Sequence, residues 1–247
     1  MITPIWQGEQ SEYQNQGEWQ REHDHTCSLT AIATVLNAWH NQRDLTGRHP
    51  VHIRDVLHEA LRQRAYISEA GTYWIGSIAP IAAHFGFRTI WGYDATSYLA
   101  YAVAVFDTVA GHDLFKALEY LIFGPSAPLL MRTLKQQARA LFLQETQNKA
   151  GWQVPLELVR HIATRGFPVL VDLWSPQIPQ GHTVIVYGGE GDSVSYVDPG
   201  SGSYEQAQIE TFRQAWVRDF AVLYPRQVQF PRDLGQTLQY YPTVYAH

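Results

Sequence analysis

Residues 167–198 read FPVLVDLWSPQIPQGHTVIVYGGEGDSVSYVD, and this stretch decides the fold class. Three runs rich in apolar and β-branched residues follow one another, at 167–174, 182–188 and 193–198. Such residues suit the pleated, half-buried surface of a strand. Between the second and third runs, residues 188–192 spell Gly-Gly-Glu-Gly-Asp, a hairpin signal, because glycine supplies the backbone conformations that a tight reversal needs. A register that sets His182 opposite Asp198 leaves residues 189–191 as a three-residue loop. Both side chains then project from one face, close enough for a hydrogen bond.

On the N-terminal side the period changes from strand to helix. Pro155 opens a helix over 156–165 that Gly166 closes. Further upstream, Leu29, Ile32, Ala33, Leu36 and Trp39 recur at three- and four-residue steps, which predicts a helix with Thr26 as N-cap and Cys27 in its first turn. Ile53, Val56, Leu57, Ala60 and Leu61 mark a second helix. A third covers about 74–85 and stops at Gly86, followed by a strand at 87–91. Residues 94–150 hold an apolar stretch at 98–106, a helix at 113–123, a Gly-Pro-Ser-Ala-Pro break and a long helix at 129–148. Beyond the opening stretch, a short helix at 209–216 and a strand at 220–224 are expected. The first 25 residues read as irregular, and the C-terminal tail carries no assignable period. Helices first and an antiparallel sheet second make an α+β arrangement; the alternating βαβ pattern of a doubly wound sheet is absent.

The composition bounds the function classes. A chain of 247 residues, 45% hydrophobic, can bury one sizeable core, so a single domain over 1–247 is expected. The net charge of −5 argues against a nucleic-acid partner, since phosphate contacts need a basic face. No apolar run approaches the roughly 18 residues of a spanning helix, which argues against a membrane partner. The N-terminus has neither the basic region nor the apolar core of a secretory leader, and the expected location is the cytoplasm. Oligomeric state is not legible. No nucleotide-binding signature is present: the glycines at 188–191 sit between two strands instead of opening a helix, and no cofactor is expected. His23 and His25 flank Asp24 just before the cysteine, but alternate residues in an irregular segment lack metal-ligand spacing, and no metal is expected.

Cys27 is the single cysteine, so no internal disulfide holds the fold. By count alone it reads as an inert core thiol, since free cysteine is among the most buried residue types. Its place changes the reading. A helix N-terminus offers partial positive charge and unpaired N–H groups, which stabilise a thiolate and a developing oxyanion. An imidazole can take the thiol proton and deliver it to a leaving group, and a carboxylate behind the imidazole fixes its orientation. His182, at a strand start after Gly181, and Asp198, at a strand end before Pro199-Gly200, supply those two parts. Each alone has an ordinary structural explanation, since Asp favours turns. Together with a helix-start cysteine they define a candidate catalytic set.

The segment Thr26-Cys27-Ser28-Leu29-Thr30-Ala31-Ile32-Ala33-Thr34-Val35-Leu36-Asn37 resembles the nucleophile helix of the bacteriocin-processing (double-glycine leader) peptidase-like family of the papain superfamily. Gly181-His182-Thr183-Val184-Ile185-Val186-Tyr187-Gly188, continuing through Tyr196-Val197-Asp198-Pro199-Gly200, is similar to that family's His strand and Asp-Pro turn. Gly166-Phe167-Pro168-Val169 is similar to the strand before it, and Trp216 before a final strand also fits. The resemblance covers the first 40 residues and roughly 155–225, leaving a helical insertion at about 90–150. It implies a papain-like fold in a stand-alone member, with Cys27 as nucleophile, His182 as base and Asp198 as orienter. It also implies an upstream glutamine as oxyanion donor, assigned to Gln16 with Gln20 second. Ser28 stands where transporter-linked members commonly have Gly.

The expected function is a cysteine peptidase or amide hydrolase acting through a thioester acyl-enzyme on a peptide or amide substrate. The alternatives are an acyl or aminoacyl transferase using the same residues, for which the 90–150 segment would shape a pocket, and an inactive binding module of the same fold.

Overall fold

The computed structural model describes residues 27–42, 51–63, 78–93, 154–175, 178–241 and 244–246. Among the described residues three helices come first: α1 (Cys27–Gln42), α2 (Ile53–Arg62) and α3 (Ile78–His84). Strand β1 (Phe87–Tyr93) and helix α4 (Leu156–Thr164) lead into β2 (Val169–Ser175), β3 (Ile178–Gly188), β4 (Ser193–Asp198) and β5 (Ser203–Gln208). Helix α5 (Ile209–Ala215), strand β6 (Asp219–Pro225), helix α6 (Arg232–Leu238) and strand β7 (Val244–Ala246) complete the described chain. The strands form one antiparallel sheet in the order β5-β4-β3-β2-β6-β1-β7. The architecture is thus α+β, with helices packed against an antiparallel sheet. Among the described residues no helix is long and apolar enough to cross a membrane.

Helix α1 does more than the periodic pattern indicates. The apolar residues Leu29, Ile32, Ala33 and Leu36 are fully buried, and so are Ser28, Thr30 and Thr34 on the remaining faces. A helix buried all round needs its polar groups satisfied. The Thr34 hydroxyl donates to the Thr30 carbonyl at 2.7 Å, within the helix itself. At the C-terminal end, Trp39 Nε1 donates to the Leu223 carbonyl of β6 at 2.8 Å. The Asn37 amide donates to the Val51 carbonyl at 2.9 Å and accepts the Val51 N–H at 2.8 Å, holding the approach to α2 against α1. The helix packs on β3 and β6, which fixes where its first residue, Cys27, meets the sheet.

The sheet is covered on both faces at its centre, since every residue of β6 is buried. Its edges are different in kind: β5 (SYEQAQ) is mostly polar and has no buried residue, and β7 is only three residues long. Gly86 and Gly166 follow α3 and α4 with φ of 84° and 86°, the left-handed cap that both helices were expected to use.

The structure changes several expectations. The hairpin register differs from the one that faces His182 with Asp198: Ile185 pairs with Val197, Val186 with Tyr196 and, after a bulge, Gly188 with Ser195. Continuing that register sets Asp198 opposite Val184, two residues further along. The cause is a wider reversal than a three-residue loop, closed by a Ser193 N–H to Glu190 carbonyl bond at 3.1 Å. A shift of two keeps every side chain on its original face, so His182 and Asp198 remain diagonal neighbours. Strand β3 begins at Ile178, so His182 is its fifth residue and not its first, and β5, α6 and β7 are elements that the sequence pattern does not mark. The expected elements at 94–150, the first part of the third helix, Thr26 and the N-terminal segment lie outside the described residues.

Removing the indole donor tests the seating of α1. Trp39→Phe leaves the buried Leu223 carbonyl without its donor and should lower the unfolding free energy by about 1–3 kcal/mol. Chemical denaturation measures this, and an unchanged midpoint would show that the bond does not anchor the helix.

Candidate active site

Cys27 is the first residue of α1, half-buried where the helix meets β3. His182 lies on β3 and Asp198 ends β4. His182 Nε2 is 2.6 Å from Asp198 Oδ1. The same imidazole is close enough to the Cys27 thiol to act on it by hydrogen bonding and by charge, and Asp198 occupies its Nε2. The structure therefore brings the three expected residues together, from an N-terminal helix and from two strands more than 150 positions later. Gln16 and Gln20 lie outside the described residues, as do His23 and His25.

The electrostatics of the three groups favour a charged pair. Burial opposes ionisation of Cys27, but the His182 hydrogen bond, the His182 charge and the Thr183 backbone N–H outweigh it and hold the thiol below its ordinary value; the charge on Asp172 pulls the other way. Burial likewise disfavours a charged His182. Its hydrogen bonds to Asp198 and Cys27, and their negative charges, prevail and push it up to about 10. The His182 hydrogen bond, chiefly, keeps the Asp198 carboxyl below the usual carboxylate range, with backbone N–H groups of Gly200 and Ser201 contributing. The arrangement thus favours the thiolate and imidazolium forms of the pair beside an ionised carboxylate, with titrations that belong to the coupled set.

The Asp198-Pro199-Gly200 turn supports this geometry. Gly200 N–H donates to Asp198 Oδ1 at 2.7 Å, and Gly202 N–H donates to the Asp198 carbonyl at 2.8 Å. A Cβ on Gly200 would lie 3.1 Å from Asp198 Oδ1 and 3.3 Å from His182 Cε1. Only glycine lets the turn backbone lie this close against the imidazole.

Three further residues at the site are absent from the sequence reading. Thr183 presents its N–H to Cys27 and donates its hydroxyl to Asp172 Oδ1 at 2.6 Å. Asp172 N–H donates in turn to Asp219 Oδ1 at 2.9 Å. The signal that could have flagged Asp172 is a lone acid inside the apolar run Val169-Leu170-Val171-Asp172-Leu173-Trp174. Among the described residues no group of three or more His, Cys, Asp and Glu is arranged to hold a metal ion. Searches against protein-family models, curated proteins and solved structures find no match to this chain.

Gly200→Ala should displace His182 or Asp198 by a few tenths of an ångström and slow iodoacetamide alkylation of Cys27 at mildly acidic pH by about tenfold, with little change in the unfolding midpoint. An unaltered rate would mean that the ring does not depend on this turn.

Proposed function

We propose that the protein is a papain-like cysteine hydrolase that cleaves a peptide or amide bond through a thioester on Cys27. The observation that carries this reading is the position of His182, hydrogen-bonded on one side to the Cys27 thiol and on the other to Asp198. An inert thiol needs no such partner, and a buried histidine made cationic by two negative neighbours has a specific chemical use.

The chemistry follows from the protonation states. The Cys27 thiolate attacks the substrate carbonyl carbon, and the negative charge moves to the carbonyl oxygen. The N–H groups at the start of α1 are suited to stabilise that oxyanion. Gln16, with Gln20 second, is the proposed additional donor. As the tetrahedral intermediate collapses, the C–N bond breaks and His182 gives its Nδ1 proton to the departing amine. The now neutral imidazole takes a proton from water, whose oxygen attacks the thioester carbonyl. Collapse of this second intermediate breaks the C–S bond, releases the acid and restores the thiolate–imidazolium pair. Asp198 keeps the imidazole oriented and stabilises its cationic form throughout.

Cys27 alkylation should form a plateau that begins below the ordinary thiol range and ends near the His182 value of about 10. The sign is fixed by the pair: below the plateau the thiol is protonated, and above it the imidazolium is lost. His182→Ala should remove the plateau and slow alkylation at mildly acidic pH by about a hundredfold or more. Equal rates in the two proteins would end the claim of an activated thiol. Turnover of a peptide library, lost in Cys27→Ala, separates a hydrolase from an inactive binding module. Acyl-enzyme partitioning between water and added amines separates it from a transferase.

A further inference from the structure

Strands β2 and β6 pair only through Val169 with Val222 and Leu170 with Ala221 before they part. Continuing that register sets Asp172 directly opposite Asp219. The regular ladder stops there, and only an isolated bridge between Leu173 and Trp216 follows. The Asp219 carboxyl takes the Asp172 N–H at 2.9 Å, and the Asp172 carbonyl accepts the Val217 N–H at 2.9 Å. Trp216 Nε1 donates to the Asp219 carbonyl at 2.7 Å and closes the turn, in which Arg218 has a positive φ of 64°. Two carboxyl groups are therefore held face to face at the fork of the sheet. Asp219 is fully buried and its Oδ2 has no hydrogen-bond partner among the described residues.

Like charges directly opposite in a sheet repel, and two desolvated carboxylates in contact repel strongly. A single proton between them removes the repulsion and neutralises the orphan oxygen of Asp219. The remaining charge lies on Asp172, where the Thr183 hydroxyl donates to it at 2.6 Å. Thr183 is also the residue whose N–H reaches the Cys27 sulfur. One threonine thus ties the carboxyl pair to the nucleophile.

We propose that Asp172 and Asp219 share one proton, and that the resulting single buried charge on Asp172, held by Thr183, sets the pH range over which the Cys27–His182 pair is charged. This rests on the reading of that pair as an activated thiol. The directions of the individual titrations agree. Burial raises both carboxyls, Asp219 the further, with each acting on the other. The charged and titratable groups acting on the pair are Cys27 from α1 and His182 from β3; the buried Arg218 precedes Asp219 in the turn before β6. Asp198 of β4 lies beyond His182. The Asp172 charge disfavours the thiolate and favours the imidazolium, so it moves both limbs of the Cys27 reactivity profile to higher pH.

The test is the pH profile of iodoacetamide alkylation on the full chain. Asp172→Asn should shift both limbs downward together by about 0.5–1 pH unit, speeding alkylation on the acidic limb by about three- to tenfold. Asp219→Asn copies the protonated partner and should leave both limbs where they are. A role confined to structure predicts something else: loosening the Cys27–His182 contact makes the limbs converge. Convergence in Asp172→Asn, or limbs superimposed on wild type, overturns the proposal while leaving the activated thiol intact. A wild-type profile with no plateau overturns both. Should Asp172→Asn fail to fold, the infrared spectrum decides. A protonated-carboxyl stretch at neutral pH that disappears in Asp219→Asn supports the shared proton, and its absence in wild type rejects it.

Discussion

The contact between His182 and the start of α1 is the constraint around which the described structure is arranged. A thiol in a half-buried position ionises only if a cation stands beside it, and a buried imidazole stays cationic only between negative groups. Each of the three charges is unfavourable alone. Held together, the thiolate, imidazolium and carboxylate satisfy one another, which is why Cys27 lies below and His182 above their ordinary values. Removing any one leaves the others desolvated without compensation.

The fold brings the three groups within reach by making α1 immovable. Burial on every side, the Trp39 bond to β6 and the Asn37 clamp on Val51 fix the axis of the helix, and the helix axis fixes its first residue. On the opposite side, β3 delivers His182 and the Asp-Pro-Gly turn after β4 delivers Asp198. The divergence of β2 from β6 adds a fork where side chains replace backbone bonds, and there Asp172, Asp219 and Thr183 lie behind the site.

Much of this is legible in the sequence because it is local. The periodicity from Leu29 to Trp39, the runs of β-branched residues at 167–198 and the glycines after α3 and α4 each act within a few residues. What was not legible depends on contacts between distant segments or lacks an apolar signal. Strand β5 is a polar edge whose Tyr204 and neighbouring residues are largely solvated, so no alternation marks it. The hairpin register depends on a bulge near Tyr187 that composition does not display. Asp172 meets Asp219 across 47 residues, and in sequence it is only one acid among hydrophobic neighbours. The candidate set is readable because the helix start at Cys27 and the Asp-Pro turn carry local marks and His182 opens the apolar part of its strand, although β3 itself begins earlier, at Ile178. The proposed oxyanion donor has none, since several glutamines precede Cys27.

With one cysteine in the chain, thiolate absorbance in the ultraviolet reports on Cys27 alone. The decisive measurement is the difference spectrum between wild type and Cys27→Ser as a function of pH. The account predicts a thiolate band that develops below the ordinary thiol range and moves back into it when His182 is replaced by Ala. A band that develops only in the ordinary thiol range, unaffected by His182, would contradict it.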